Sequence, residues 1–175
     1  RDTLLDGSSV RIRAIRPDDK AALQEGMHRL SRDSAYFRFF RVKHELSAKE
    51  LVHFTEVDFV RHVALVACVT EQGEEHLVGV GRYIVPASEP GLEHAEIAFA
   101  VDDAHHGLGI ATILLRHLAE IARAAGLRRF TASVLARNQK MLEVFSHCGL
   151  RSQRTLSEGQ YDITLWLDAA DASAD

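Results

Sequence analysis

Residues 102–115 read DDAHHGLGIATILL, two acids and two histidines ahead of a Gly-Leu-Gly turn and an apolar run. A helix that begins just after such a turn leaves its first backbone N–H groups without partners, and its dipole favours an anion there. Glycine at that point lets a phosphate approach with no Cβ in the way, so Gly107 and Gly109 could cradle a pyrophosphate by main chain alone. The same two glycines could equally do no more than turn a strand sharply into a helix. Two other phosphate motifs do not fit. The turn lacks the Gly-Lys-Ser/Thr of a P-loop, and Thr112 stands where a dinucleotide fingerprint needs its third glycine. His105 and His106 suggest a metal at first sight, but adjacent side chains diverge and no His or carboxylate nearby has ligand spacing. No metal is expected.

Directly upstream, AEIAFAV alternates Ile97, Phe99 and Val101 with Glu96, Ala98 and Ala100, so one carboxylate shares a strand face with alanines. That placement suits a cleft wall, and it also suits an ordinary solvent-facing glutamate. Asn138 opens a later helical run, where an N-cap alone would account for it.

The elements that must position these groups follow from periodicity. SSVRIRAI alternates like a half-buried strand, Pro17 starts a helix running to about Leu30, and Ser47 with Glu50 forms a capping box opening AKELVHFTEV. SRDSAYFRFF is a short turn or helix whose Tyr36, Phe37, Phe39 and Phe40 read as a core cluster or as an aromatic lid. HVALVACVTEQ, HLVGVGRYIVPA and EHAEIAFAV are strands separated by turn chemistry, an antiparallel meander. Ile110, Ile113, Leu114, Leu118, Ile121 and Ala125 then recur at helical spacing until Gly126. RRFTASVLA is a strand, NQKMLEVFSHC a helix closed by Gly149, and YDITLWL a last strand. Such an order predicts an α+β domain with a mixed, mostly antiparallel central sheet flanked by helices.

At 175 residues, 46% hydrophobic and 26% charged, the chain suits one domain over 1–167, with a flexible acidic tail over 168–175. A net charge of -4 and a pI near 6.2 offer no footprint for nucleic acid. No apolar run approaches the roughly 20 residues of a membrane helix and no leader is evident, so no membrane partner is expected and the location expected is cytoplasmic. Cys68 and Cys148 read as buried thiols rather than a disulfide framework. A start at Arg1 suggests an excised domain or a processed product, so that regulatory modules could lie outside it.

In order of elements and in motif, the chain resembles the GCN5-related N-acetyltransferase superfamily. The hallmark Q/R-x-x-G-x-G/A reads AHHGLG with Ala111 following, so both glycines match while Ala104 replaces the usual Gln or Arg. RAIRPDD, SAYFRFF, TEVDFVRHVALVA, AEIAFAV and VLARNQKMLEVFSHCGL are similar to the acetyltransferase domain of bacterial protein lysine acetyltransferases. This resemblance implies the fold of that superfamily, acetyl-CoA as cosubstrate, and a protein acceptor such as an acyl-CoA synthetase. It also implies the site. The main chain of Phe99, Ala100 and Val101 would pair with pantetheine, His106, Gly107, Leu108, Gly109, Ile110 and Ala111 would receive the pyrophosphate, and Asn138 would contact CoA.

Acetyl transfer requires a neutral amine. A lysine with a pKa of ~10.4 is protonated at pH 7, and exposing its lone pair costs about 4 to 5 kcal/mol. A general base is the remedy, and the superfamily commonly uses a glutamate at the position of Glu96. His62 lines the acceptor entrance or shuttles a proton on the same reading, although a histidine at a strand start also reads as simply exposed. Where many relatives carry a tyrosine as general acid this chain has Phe145, tolerable because a thiol of pKa ~8.5 already leaves readily. Cys148 reads as packing rather than as an acyl carrier. Two alternatives stay open: a small-amine acetyltransferase of the same fold, and an acyl-CoA-binding regulatory module without chemistry.

Overall fold

In the computed structural model residues 2–29 and 46–167 are described. The aromatic block at 36–40 and the tail at 168–175 lie outside them. Among the described residues the elements are β1 (Asp2–Thr3), β2 (Ser9–Ala14), α1 (Lys20–Arg29), α2 (Ala48–Thr55), β3 (His62–Glu71), β4 (Glu74–Ile84) and β5 (His94–Val101). After these come α3 (Ile110–Ala125), β6 (Arg129–Leu135), α4 (Gln139–Ser146), β7 (Ser152–Ser157) and β8 (Gln160–Trp166).

The strands form one eight-stranded sheet in the order β1-β2-β3-β4-β5-β6-β8-β7. Neighbours are antiparallel except β5 and β6, which run parallel and pair only at His94↔Arg129, Ala95↔Phe130 and Glu96↔Thr131. The expected meander is β3-β4-β5. Its first turn puts Gln72 at φ 53 and Gly73 at φ 80, the positive pair that suits the right-handed twist of a two-residue hairpin.

Each face of the sheet has its own core. On one, Leu114, Leu115 and Leu118 of α3, all at most 1% exposed, pack on Leu65, Tyr83, Ile97, Phe99 and Phe130. Fully burying one such leucine contributes about 1.5–3 kcal/mol. The helix can come that close because β4 carries glycine beneath it. A Cβ at Gly81 would lie 2.8 Å from Phe99 Cδ1 and 3.2 Å from Leu114 Cβ, and one at Gly79 would lie 3.0 Å from Ile110 Cγ2. On the other face α1 and α2 cover β2 to β4, with Leu23, Met27 and Leu46 against Ala64, Val66 and Val80. The capping box at Ser47 and Glu50 is formed in both directions, at 3.1 and 3.0 Å.

Two expectations are corrected. The helix α4 stops at Ser146, short of Gly149, which takes φ 84 in the loop beyond. β7 was not foreseen: every residue of SQRTLS is exposed, so it has no alternation to read, and it exists by pairing with β8 across Glu158 and Gly159 at φ 51 and 81.

Candidate active site

Beyond Glu96↔Thr131 the strands β5 and β6 separate, and the fork between them is a cleft of ≈ 580 Å³. Its walls include Arg82, Ile84, Glu96, Asn138, Phe145 and Asp162. Glu96 sits at the apex with its side chain exposed, and Ala98 and Ala100 follow it half-buried on the same face. Ile97 and Phe99 point to the α3 core, at 5% and 7% exposure. The alternation read from AEIAFAV is therefore realised, and the carboxylate looks into a cleft rather than onto an edge. Phe99 and Phe145 meet at 6.2 Å between ring centroids, giving the cleft an aromatic floor.

The far end of β5 leads into the glycine turn. Asp102 accepts from Ala104 N–H and opens a short 3-10 turn over Asp103–His105. The His106 Nε2–H donates to the Val101 carbonyl at 2.8 Å, which sets the tautomer and ties the end of β5 to the loop. Gly107 and Gly109 take φ 81 and 92, the left-handed region that L side chains avoid. A Cβ on Gly107 would have no atom within 4 Å, so the space in front of the turn is open. From Gly109 the 16-residue α3 begins, its first amides left without helical partners. Positive φ at both glycines, open space at Gly107 and a helix start leave room for an anion in front of the turn, which Leu108, Ile110 and Ala111 complete.

Asn138 is an N-cap that also lies on the cleft wall. Its Oδ1 accepts from Met141 N–H at 3.2 Å. Cys148 packs half-buried with its Sγ donating to the Phe145 carbonyl at 3.2 Å, and burial pushes the thiol above its ordinary pKa. A raised thiol is a poor nucleophile at neutral pH, in keeping with packing. His105 and His106 lie 3.7 and 3.6 Å from Asp102 and Asp103, and no group of three or more metal-type side chains exists among the described residues.

His62 is not the exposed strand-start residue that was one reading of it. It is 8% exposed, and its Nε2 lies 2.8 Å from Arg82 Nη1. Across the sheet His62 pairs with Ile84, and Ile84 with Glu96, so the three share one face. The loop before it is held by Asp58, whose Oδ1 accepts from the N–H groups of Val60, Arg61 and His62 at 2.9, 2.9 and 3.0 Å. Those bonds, the one from Val60 foremost, hold the Asp58 carboxyl below its usual range.

Arg82 is the residue that pattern reading missed. It is 2% exposed in the middle of an apolar strand, and a charge inside HLVGVGRYIV was the available signal.

A match to the acetyltransferase (GNAT) family spans residues 25–150. The chain belongs to that family. An acetyltransferase of Pseudomonas aeruginosa is 33% identical over 87% of this chain and 81% of its own. The GNAT domain of S. lividans PAT superposes with a TM-score of 0.83 at 38% identity, covering 94% of both chains. The yncA protein of Salmonella typhimurium, solved with its cofactor acetyl-CoA, has the same fold at 18% identity and a TM-score of 0.73, covering 93% of this chain and 96% of that one. This domain is an acetyl-CoA-dependent N-acetyltransferase, and no helix among its described residues is long and apolar enough to cross a membrane.

Proposed function

We propose that the acceptor is a lysine Nε on a protein, an acyl-CoA synthetase being the first candidate, acetylated in the cytoplasm by direct attack in a ternary complex. The observation that carries the reading is the exposed Glu96 carboxylate at the apex of the fork, facing a cleft that a side chain can enter. Likeness to the GNAT domain of S. lividans PAT supports a protein acceptor.

On this reading acetyl-CoA lies along β5 with its pyrophosphate on the amides of residues 106–111. Main-chain groups of Phe99, Ala100 and Val101 take the pantetheine arm, and Asn138 closes the cleft from α4. Glu96 removes the proton, directly or through water, from the incoming ammonium. A backbone N–H of β5 then meets the developing oxyanion. The neutral amine attacks the thioester carbonyl, and collapse of the tetrahedral adduct breaks the C–S bond and releases CoA as a thiolate, which takes up the amine's remaining proton. With a thiol pKa of ~8.5 it leaves without a general acid, so phenylalanine at 145 suffices.

The test is mass spectrometry of an acyl-CoA synthetase after incubation with this domain and acetyl-CoA. A new acetyl-lysine that is absent with Glu96→Gln supports both the acceptor and the base. Acetyl-CoA binding without any modification rejects that acceptor.

A further inference from the structure

Arg82 crosses from the cleft to the helix layer. Its side chain lines the fork, while its Nη1 donates to the Phe54 carbonyl at 3.0 Å and to His62 Nε2 at 2.8 Å, with the guanidinium 4.7 Å over the Phe54 ring. Three elements are thus clasped through one side chain: α2, the start of β3, and β4. Arginine has no acceptor, so His62 must receive through a bare Nε2 and carry its proton on Nδ1. The His53 ring packs on His62 at 5.2 Å, and Asp58 holds the His62 N–H from below. From α1, on the same face, the buried contributions are the apolar Leu23 and Met27, and the charged Lys20 is taken by Glu56.

Burying a guanidinium is costly, and replacing a buried charged group by an apolar side chain of similar volume is often neutral or stabilising. The cost points to a role at the cleft. Arg82 pairs with Ala98, two residues along β5 from Glu96, so Arg82 and Glu96 are diagonal neighbours about 7–8 Å apart.

We propose that Arg82 and His62 are a positioning pair for the acceptor side of the cleft. Arg82 fixes the wall beside Glu96 against α2, and His62 acts through Arg82 rather than as a proton carrier. The proposal rests on Glu96 marking where the acceptor amine arrives. The donor side, built from the glycine turn, α3 and the far end of β5, lies outside the clasp.

The experiment compares His62→Gln, His62→Leu and Arg82→Gln in steady-state acetylation of the acyl-CoA synthetase, with KM read separately for acetyl-CoA and acceptor. Glutamine at 62 still accepts through its Oε1, and should keep kcat/KM for the acceptor within about threefold of wild type. His62→Leu and Arg82→Gln should lose about 10–100-fold there, as expected of a misplaced wall, with acetyl-CoA KM unchanged. His62→Gln failing as badly as His62→Leu would make His62 a proton carrier and overturn the proposal. So would unaltered activity in His62→Leu, or an equal rise of both KM values. A measurement that needs no acceptor runs alongside. Imidazole ¹⁵N spectra of the wild-type domain at neutral pH should show His62 neutral and protonated at Nδ1, with Nε2 shifting in Arg82→Gln. A doubly protonated ring would overturn the pair even if the synthetase proves not to be an acceptor, whereas loss of turnover in Glu96→Gln with this signature intact concerns Glu96 alone.

Discussion

Replacing Glu96 by Gln isolates the proton-transfer role. The side chain is exposed at the fork and makes no contribution to either core, so the amide should leave fold and cleft shape unchanged. What it removes is a proton acceptor beside an amine whose deprotonation at pH 7 costs about 4 to 5 kcal/mol. A positioned base recovers part of that barrier, typically about 10²–10⁴ in rate. At pH 7 the kcat of Glu96→Gln should therefore fall by about that factor, with acetyl-CoA KM within about twofold, because the proposed pyrophosphate and pantetheine contacts lie elsewhere. The pH dependence is the sharper readout. Without a base the variant depends on amine already neutral in solution, whose fraction grows about tenfold per pH unit below ~10.4, so its deficit should shrink toward pH 9. The assay is CoA release under saturating acetyl-CoA across pH 6.5–9.5, with circular dichroism as the control for folding. Full turnover at pH 7, or a deficit that does not change with pH, would refute the assignment.

Three further outcomes follow from the surroundings of the site. Gly109→Ala forces a Cβ into φ 92 at the start of α3, a cost of about 1–2 kcal/mol. Because Leu5 Cγ lies at an unstrained 3.6 Å from that Cβ, the effect is on the backbone, and acetyl-CoA KM should rise about 5–30-fold if the turn relaxes to avoid the strain. An unchanged KM would argue that the turn holds no phosphate. Asn138→Ala should lose about 1 kcal/mol of thermal stability with the cap to Met141, and Asn138→Ser should restore stability without restoring acetyl-CoA affinity. Equal rescue of both would leave Asn138 as a cap alone. Asp19 is 5% exposed, and although burial works to raise its pKa, the paired bonds from Arg13 at 2.9 and 2.8 Å and the Arg16 N–H at 2.7 Å hold it below its ordinary value. A depressed carboxyl stabilises the fold above its unfolded pKa of about 4 and stops doing so as pH falls through the lower folded value. Melting temperatures from pH 2 to 7 should show wild type ahead of Asp19→Asn at pH 7 and converging with it in acid, and a constant gap would contradict the linkage.

The parts of this molecule that were legible in its sequence are those where one face is buried and the other is not. α3 announced itself because seven of its residues are buried on one stripe, and Gly126 closes it at φ 92 with its N–H on the Ala122 and Arg123 carbonyls. Glu96 stood out because the alternation of AEIAFAV separates it cleanly from Ile97 and Phe99. β7 could not be read, since a strand exposed on both faces has no period and owes its existence to β8. The reading of His62 as simply exposed failed for a related reason. Burial at a strand end depends on what the neighbouring helix supplies, and here it supplies His53 and the Phe54 carbonyl that seats Arg82. Nothing local in HVALVACV encodes that.

On the proposed reading one strand serves two substrates, and the sheet supplies the reason. β5 is held on one side along its length by β4, from Gly79↔Val101 to Ile84↔Glu96, and on the other side by β6 at three positions only. Its unshared edge therefore begins beside Glu96 and ends at Val101, where His106 clasps the last carbonyl and leads into the glycine turn. Five residues of extended chain span about 17 Å, a reach suited to an extended pantetheine arm between a thioester near the fork and a pyrophosphate at the helix start. The face of β5 that carries Glu96 is bounded on the acceptor side by Ile84, Arg82 and, through Arg82, His62. On that reading edge and face of one strand divide the work: the main chain along the edge would offer hydrogen bonds that do not depend on side-chain identity, and the face would offer the carboxylate of Glu96. Substitutions such as Ala104 for Gln or Arg and Phe145 for Tyr can then be tolerated, because neither removes a backbone group of β5 nor the carboxylate at its fork.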